Sequence, residues 1–193
     1  MRDKQDLPTL QVADRAAWEQ WLEQNHATSP GVWLRFAKKA SPEKTVVHAD
    51  ALDVALCFGW IDGQARGHDE HFYLQRFTPR RRRSKWSQIN VEKAERLIAA
   101  GRMHPSGLAQ VEAARADGRW EAAYPAQSQA RVPEDFQHAL DAHPDAKEFF
   151  ASLTGSTRYA FLYRLHNVSK PEARAKRIET YIELLSERKT LSD

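Results

Sequence analysis

The chain has 193 residues, 41% of them hydrophobic and 28% charged, with six tryptophans. That is enough apolar surface for a packed core in one domain or two small ones, and too much for a disordered chain. The net charge is only +3, from 29 basic and 26 acidic residues, so strong positive character must be local; the one cysteine, Cys57, excludes an internal disulfide framework and a multi-cysteine metal site.

Asp14 is placed to cap a helix running to about Asn25, on which Trp18, Trp21 and Leu22 form one apolar stripe. Pro30-Gly31 ends that unit, and Val32 to Phe36 reads as a strand. A polar loop from Lys38 to Lys44 precedes a helix from about His48 to Phe58, apolar on most sides and therefore buried between layers. Trp60 to Arg66 and His71 to Phe77 read as two strands joined by a polar turn. In the second, Phe72 and Leu74 face one way, while Tyr73 and Phe77 face the other. Pro79 stops the sheet. A helix starting near Ser87 or Asn90 ends at Gly101, and Pro105 opens another that Gly118 ends.

Composition shifts at Tyr124 to Pro133, YPAQSQARVP, a polar, proline-flanked segment that reads as a linker. The division expected is an N-terminal α+β domain over 1–123, a linker over 124–133 and a helical region over 134–193. Pro133 opens a helix with Glu134 and Asp135 in its first turn, where the helix dipole favours carboxylates. Pro144 opens the next, and Ser156 or Thr157 caps a third. Ser169-Lys170-Pro171-Glu172 matches a capping box and starts the last helix, with Ile178, Tyr181, Ile182 and Leu185 on its apolar face. The fold class expected is α+β, with about three antiparallel strands flanked by helices and an all-helical C-terminal region.

The densest charge lies between Arg76 and Trp86, which holds six basic residues and no acidic one. Arginine forks take phosphate and carboxylate oxygens in pairs and stay charged at all relevant pH values. Arg80, Arg81, Arg82, Arg83 and Lys85 are therefore the leading anion-binding candidates. Phe77 and Trp86 flank them, where they could stack on bases. The alternative for the run is a solvated loop, or pairing with acids such as Glu92 and Glu95. On the last helix, Lys170, Arg174 and Arg177 form a second basic stripe, and Arg174 and Arg177 join the candidate set. The segment from Ser156 to Arg188 superficially resembles a helix-turn-helix.

Asp62 follows Trp60 and Ile61, which would dry its surroundings and make it the best single carboxylate candidate for acid–base chemistry. Trp60, Asp62, Tyr73 and Trp86 are the candidate lining of a pocket, although Asp-Gly is also a common turn pair. His68-Asp69-Glu70-His71 is the one close cluster of metal-type ligands, and in a turn it reads as solvated; no metal and no cofactor is expected. Nucleotide, phosphate-loop, nucleophile-elbow and zinc-protease signatures are all missing from the sequence, and no catalytic residue can be assigned. Cys57 sits in an apolar run and reads as an inert buried thiol. The N-terminus carries no secretory signal, and no stretch is apolar enough to span a membrane, so a cytoplasmic location is expected.

Several stretches together resemble one family: Gly31-Val32-Trp33-Leu34, Ala51 through Gly63, Phe77-Thr78-Pro79-Arg80 with Ser84 through Asn90, Gly101-Arg102-Met103 with Gly107-Leu108, Asp117-Gly118-Arg119-Trp120, and Lys170 through Ile178. The family is that of the YdeI/OmpD-associated, or bacteriocin-protection, proteins, and the resemblance spans nearly the whole chain. Ala173 stands where the family tends to carry threonine. The resemblance implies a bacterial cytosolic protein linked to tolerance of bacteriocins, cationic peptides and envelope stress. It brings no reaction and no catalytic set. The expected protein is thus non-enzymatic and binds an anionic partner: an acidic protein, a nucleic acid, or a small phosphate or carboxylate. The alternatives are a nucleic-acid-binding regulator, and an enzyme with its pocket near Trp60 and Asp62.

Overall fold

The computed structural model describes residues 7–191. The chain divides between Ala123 and Tyr124 into two compact units. The N-terminal unit is α+β, with strands β1 (Thr9–Leu10), β2 (Val32–Ala37), β3 (Trp60–Gly67) and β4 (Phe72–Pro79) and helices α1 (Arg15–Asn25), α2 (His48–Cys57), α3 (Gln88–Ala99) and α4 (Pro105–Ala116). The C-terminal unit is helical: a short 3₁₀ turn (Gln127–Gln129), then α5 (Glu134–Asp141), α6 (Pro144–Ser152), α7 (Gly155–His166) and α8 (Pro171–Ser186). No described helix is long and apolar enough to cross a membrane.

The sheet has four strands in the order β1-β2-β4-β3 and is mixed. The three expected strands pair antiparallel, β4 in the centre, and β1 adds parallel to β2. One face of β4 packs Phe77 and Tyr73 onto the core of the helices, as the alternation requires. On the other face, Arg35 lies over the Phe72 ring and Arg66 over the Trp33 ring, so guanidinium stems cover the exposed side of the sheet. A register shift between Asp62 and Ala65 breaks the β3–β4 ladder, and the buried Gln75 amide donates to the Gly63 carbonyl at 2.7 Å to satisfy it.

Local chemistry sets the helix ends. Asp14 accepts from the Ala17 amide at 2.9 Å and Ser87 from the Asn90 amide at 3.2 Å. The core is built on α2, whose Ala51, Leu52, Val54, Ala55, Leu56 and Cys57 are all buried. Asp53 on its outer side accepts from Lys93 and Arg96 of α3 and ties the two helices together. Gly59 turns the chain from α2 into β3 with φ +76°, and a Cβ there would sit 2.8 Å from the Ser106 carbonyl.

Three expectations change in the C-terminal unit, the first at α7, where Thr154 rather than Ser156 or Thr157 is the N-cap and no side chain caps the helix. The capping box does not form: Pro171 occupies the first helical position, so Lys170 becomes the N-cap and no side chain caps α8. Residues 124–133, expected to link the two units, are built into the second one. Tyr124 packs edge-on against Tyr163 at 4.9 Å, Tyr159 donates its hydroxyl to the Pro125 carbonyl at 2.9 Å, and Ala130 and Val132 pack on the helical core. That core is centred on Phe136, Phe150, Phe161 and Tyr181, whose rings meet edge to face.

Candidate functional site

The arginine run is not uniform. Arg80 is only 6% exposed. Its amide donates to the Gly59 carbonyl at 2.9 Å, its Nη1 donates to the Lys85 carbonyl at 3.2 Å, and its guanidinium lies 3.6 Å from the centroid of the Trp86 ring. Trp86 is itself 2% exposed and packs edge-on against Trp120 at 4.8 Å. Arg80 therefore fastens the loop to the core rather than facing solvent. Arg81, Arg82, Arg83 and Lys85 are exposed. The turn between them is closed by the Ser84 amide donating to the Arg81 carbonyl at 2.8 Å, and the Arg81 amide donating to the Ser84 hydroxyl at 3.0 Å.

No described carboxylate lies within 4 Å of the Arg81, Arg82 or Arg83 guanidinium, and Glu92 and Glu95 pair with none of them. Arg82 acts electrostatically on Asp117. Its carboxyl is held below the usual range first by Arg119, which donates to it at 2.8 Å, with Arg82 a weaker contributor. Arg119 also reaches the Ser84 carbonyl at 2.9 Å, bracing the loop from behind. Phe77 and Trp86, expected to flank the run as stacking platforms, are buried at 0% and 2% exposure and offer no face to a base.

The four residues expected to line one pocket separate. Trp60 is buried, donates its indole N–H to the His26 carbonyl at 3.2 Å and packs edge-on against Trp21. Trp86 belongs to the Arg80 anchor. Asp62 and Tyr73 are related through His48: the Asp62 carboxylate lies 3.3 Å from His48 Nε2, and His48 and Tyr73 line a cavity of about 430 Å³ with Phe36 and Thr45. Burial raises the Tyr73 phenol above its ordinary pKa. His68, Asp69, Glu70 and His71 form a turn in which the Asp69 carboxylate accepts the His71 and Phe72 amides, both at 2.8 Å. No group of three or more His, Cys, Asp or Glu positioned to hold a metal occurs among the described residues. The Cys57 thiol is buried and pushed up in pKa, chiefly by loss of hydration.

In the C-terminal unit Arg174 is committed. It donates through Nε and Nη2 to both oxygens of Asp135 and through Nη1 to the Leu165 carbonyl, joining α5, α7 and α8. The hydrogen bond to Arg174 holds the Asp135 carboxyl below the usual range, and the same contact raises Arg174. Arg177 on α8 and Lys170 at its N-cap stay exposed. Beside Arg174 lies a cavity of about 250 Å³ walled by Tyr124, Tyr159, Tyr163, Arg131 and His166. Sequence reading did not point to these five. The i, i+4 spacing of Tyr159 and Tyr163 was visible, but Tyr124 and Arg131 lay in the supposed linker.

Two family matches divide the chain along the same lines. Residues 10–110 match a domain of unknown function, DUF8412. Residues 129–188 match the family described as bacteriocin-protection, YdeI or OmpD-associated. The resemblance expected over nearly the whole chain is therefore matched under that description in its C-terminal part, while the motifs from Gly31 to Met103 fall in the other family. No curated protein and no solved structure matches the chain.

Proposed function

For a chain that belongs to the DUF8412 family through residues 10–110 and carries a YdeI/OmpD-associated domain at 129–188, we propose a cytoplasmic, non-enzymatic role in bacteriocin or envelope-stress tolerance, exerted by binding an anionic partner. The observation that carries this reading is the charge of Arg81, Arg82 and Arg83, presented on a tight exposed turn with no carboxylate of the described residues within ion-pair reach. Like charges held together in water repel, and their placement on a braced loop favours a partner that neutralises them. Arg80 serves as the anchor of that loop. Lys85 extends the exposed charge, and Arg177 adds a separate cation on α8.

The test is complementation. A strain lacking this gene is given the wild-type chain or the Arg81→Ala/Arg82→Ala/Arg83→Ala variant at equal abundance, then challenged with a bacteriocin or a cationic peptide. The variant is expected to fail where wild type restores survival. Full complementation by the variant overturns the reading.

Two other readings each have an observation behind them. A nucleic-acid-binding regulator is favoured by the same guanidinium forks, but with Phe77 and Trp86 buried its contacts would be to the phosphate backbone alone. An enzyme is favoured by the His48–Asp62 pair beside the 430 Å³ cavity, because a carboxylate orients an imidazole for proton transfer. Asp62→Asn that abolishes a ligand effect while leaving thermal stability intact would support it.

A further inference from the structure

The cavity of the C-terminal unit is a second, independent feature, and nothing in the arginine-loop reading uses it. Three of its walls are phenol rings. Tyr124 and Tyr163 meet at 86° with centroids 4.9 Å apart, and Tyr159 lies 5.9 Å from Tyr163. The Tyr159 ring is pinned by its hydroxyl on the Pro125 carbonyl. The polar walls are Arg131, Arg174 and His166, and among the described residues no lining side chain is a carboxylate. Arg174 spends three N–H groups on Asp135 and Leu165, which fixes its plane and leaves two of its five donors. Asp135 offsets the charge of Arg174. Arg131 is exposed and has no ion-pair partner among the described residues, so the wall carries uncompensated positive charge.

These features choose between two ligand types. Phenol faces set at right angles are also how proteins box a quaternary cation, but a guanidinium wall repels one. An anion is favoured there, and the rings then serve its apolar body by edge-to-face contact. The volume of about 250 Å³ falls just below the roughly 300–1,000 Å³ of sites for drug-sized ligands, which limits the occupant to about one ring. We propose that this cavity binds a small aryl anion, a carboxylate or phosphate carried on a single aromatic ring. The ring lies among Tyr124, Tyr159 and Tyr163, and the charged group meets Arg131 and the free donors of Arg174. Because the Tyr159 ring and the Arg174 plane are held in place before binding, that part of the site needs little ordering to form the complex.

The experiment is an NMR titration of the intact ¹⁵N-labelled chain with benzoate, phenyl phosphate, inorganic phosphate and benzyltrimethylammonium. Saturable one-to-one shifts centred on Arg131 and Tyr163 are expected with benzoate or phenyl phosphate. Arg131→Ala is expected to weaken that binding about tenfold, the loss of one charge-assisted hydrogen bond, and Arg131→Lys to recover part of it. The Arg81→Ala/Arg82→Ala/Arg83→Ala variant is expected to bind like wild type, which keeps this inference separate from the loop. The proposal is overturned by no saturable binding of either aryl anion, by inorganic phosphate binding as tightly as phenyl phosphate, or by tighter binding of the ammonium. Indifference to Arg131→Ala, or loss of binding in the loop variant, overturns it equally.

Discussion

Neutralising the four consecutive arginines one at a time should split them into one structural residue and three that leave stability unchanged. Arg80→Ala removes a guanidinium stacked 3.6 Å from the Trp86 centroid in a site 6% exposed. A desolvated cation–π contact is worth about 1–2 kcal/mol, and the hydrogen bond to the Lys85 carbonyl about 1 kcal/mol more. The packed stem adds to this, so the loss should be about 3 kcal/mol. With a urea m-value of roughly 1–3 kcal/mol/M, the midpoint falls by about 1–3 M. Arg81→Ala, Arg82→Ala and Arg83→Ala remove exposed side chains with no ion pair among the described residues, and each should change stability by less than about 0.5 kcal/mol. The assay is urea unfolding followed by tryptophan fluorescence. All six tryptophans (Trp18, Trp21, Trp33, Trp60, Trp86 and Trp120) lie in the N-terminal unit, so the signal reports on that unit. Equal midpoints for Arg80→Ala and Arg82→Ala would refute the division of the run into anchor and contact residues.

Other consequences concern packing and titration. Gly107→Ala places a Cβ 2.1 Å from the Cys57 carbonyl oxygen, where backbone must move; a loss of about 3 kcal/mol or more is expected in the same unfolding assay. Tyr181 is 2% exposed and its hydroxyl has no hydrogen-bond partner among the described residues, so Tyr181→Phe should leave stability unchanged or raise it by about 1 kcal/mol, read from amide exchange in α8. The Asp135 carboxyl has a folded-state pKa below its unfolded value because of Arg174. Its contribution is therefore present above about pH 4, the ordinary carboxylate value, and is lost as pH falls through the folded value. Amide protection in α5 and α8, relative to the intrinsic exchange rate at each pH, should fall in that acid range, and Asp135→Asn should flatten the dependence.

Local rules were enough where a residue acts on its own neighbours. Asp14 and Ser87 cap their helices, Gly101 and Gly118 turn the chain with φ +65° and +77°, and Pro105 opens α4. They failed where a second local rule or a distant partner intervened. Ser169 and Glu172 have capping-box spacing, but Pro171 between them fixes the helix start one residue too late. β1 is two residues long and exists only because β2 offers it an edge, so no periodicity betrays it.

The candidate sites show the same limit. Four identical arginines carry no mark of which one turns inward; the decision comes from the end of β4, which delivers Arg80 to the Gly59 carbonyl and to Trp86. Trp60 looked like a pocket wall because it adjoins Asp62, yet it is 1% exposed in the core. The partner that gives Asp62 chemical interest, His48, lies on another element, brought near by the turn at Gly59. Arg174 read as free charge on a helix face, and its commitment to Asp135 spans 39 residues of sequence.

The most direct test of the anion-binding claim is a salt titration with labelled duplex DNA as a generic polyanion, wild type against the Arg81→Ala/Arg82→Ala/Arg83→Ala variant. If the three exposed guanidiniums meet phosphates, the log–log salt slope of the variant is shallower by about 2–3, near 0.9 for each lost contact. Binding that also persists at physiological salt favours the nucleic-acid reading, and binding lost on modest salt addition favours an acidic protein or small anion. Identical slopes for the two proteins would contradict the claim that this loop is an anion-binding surface.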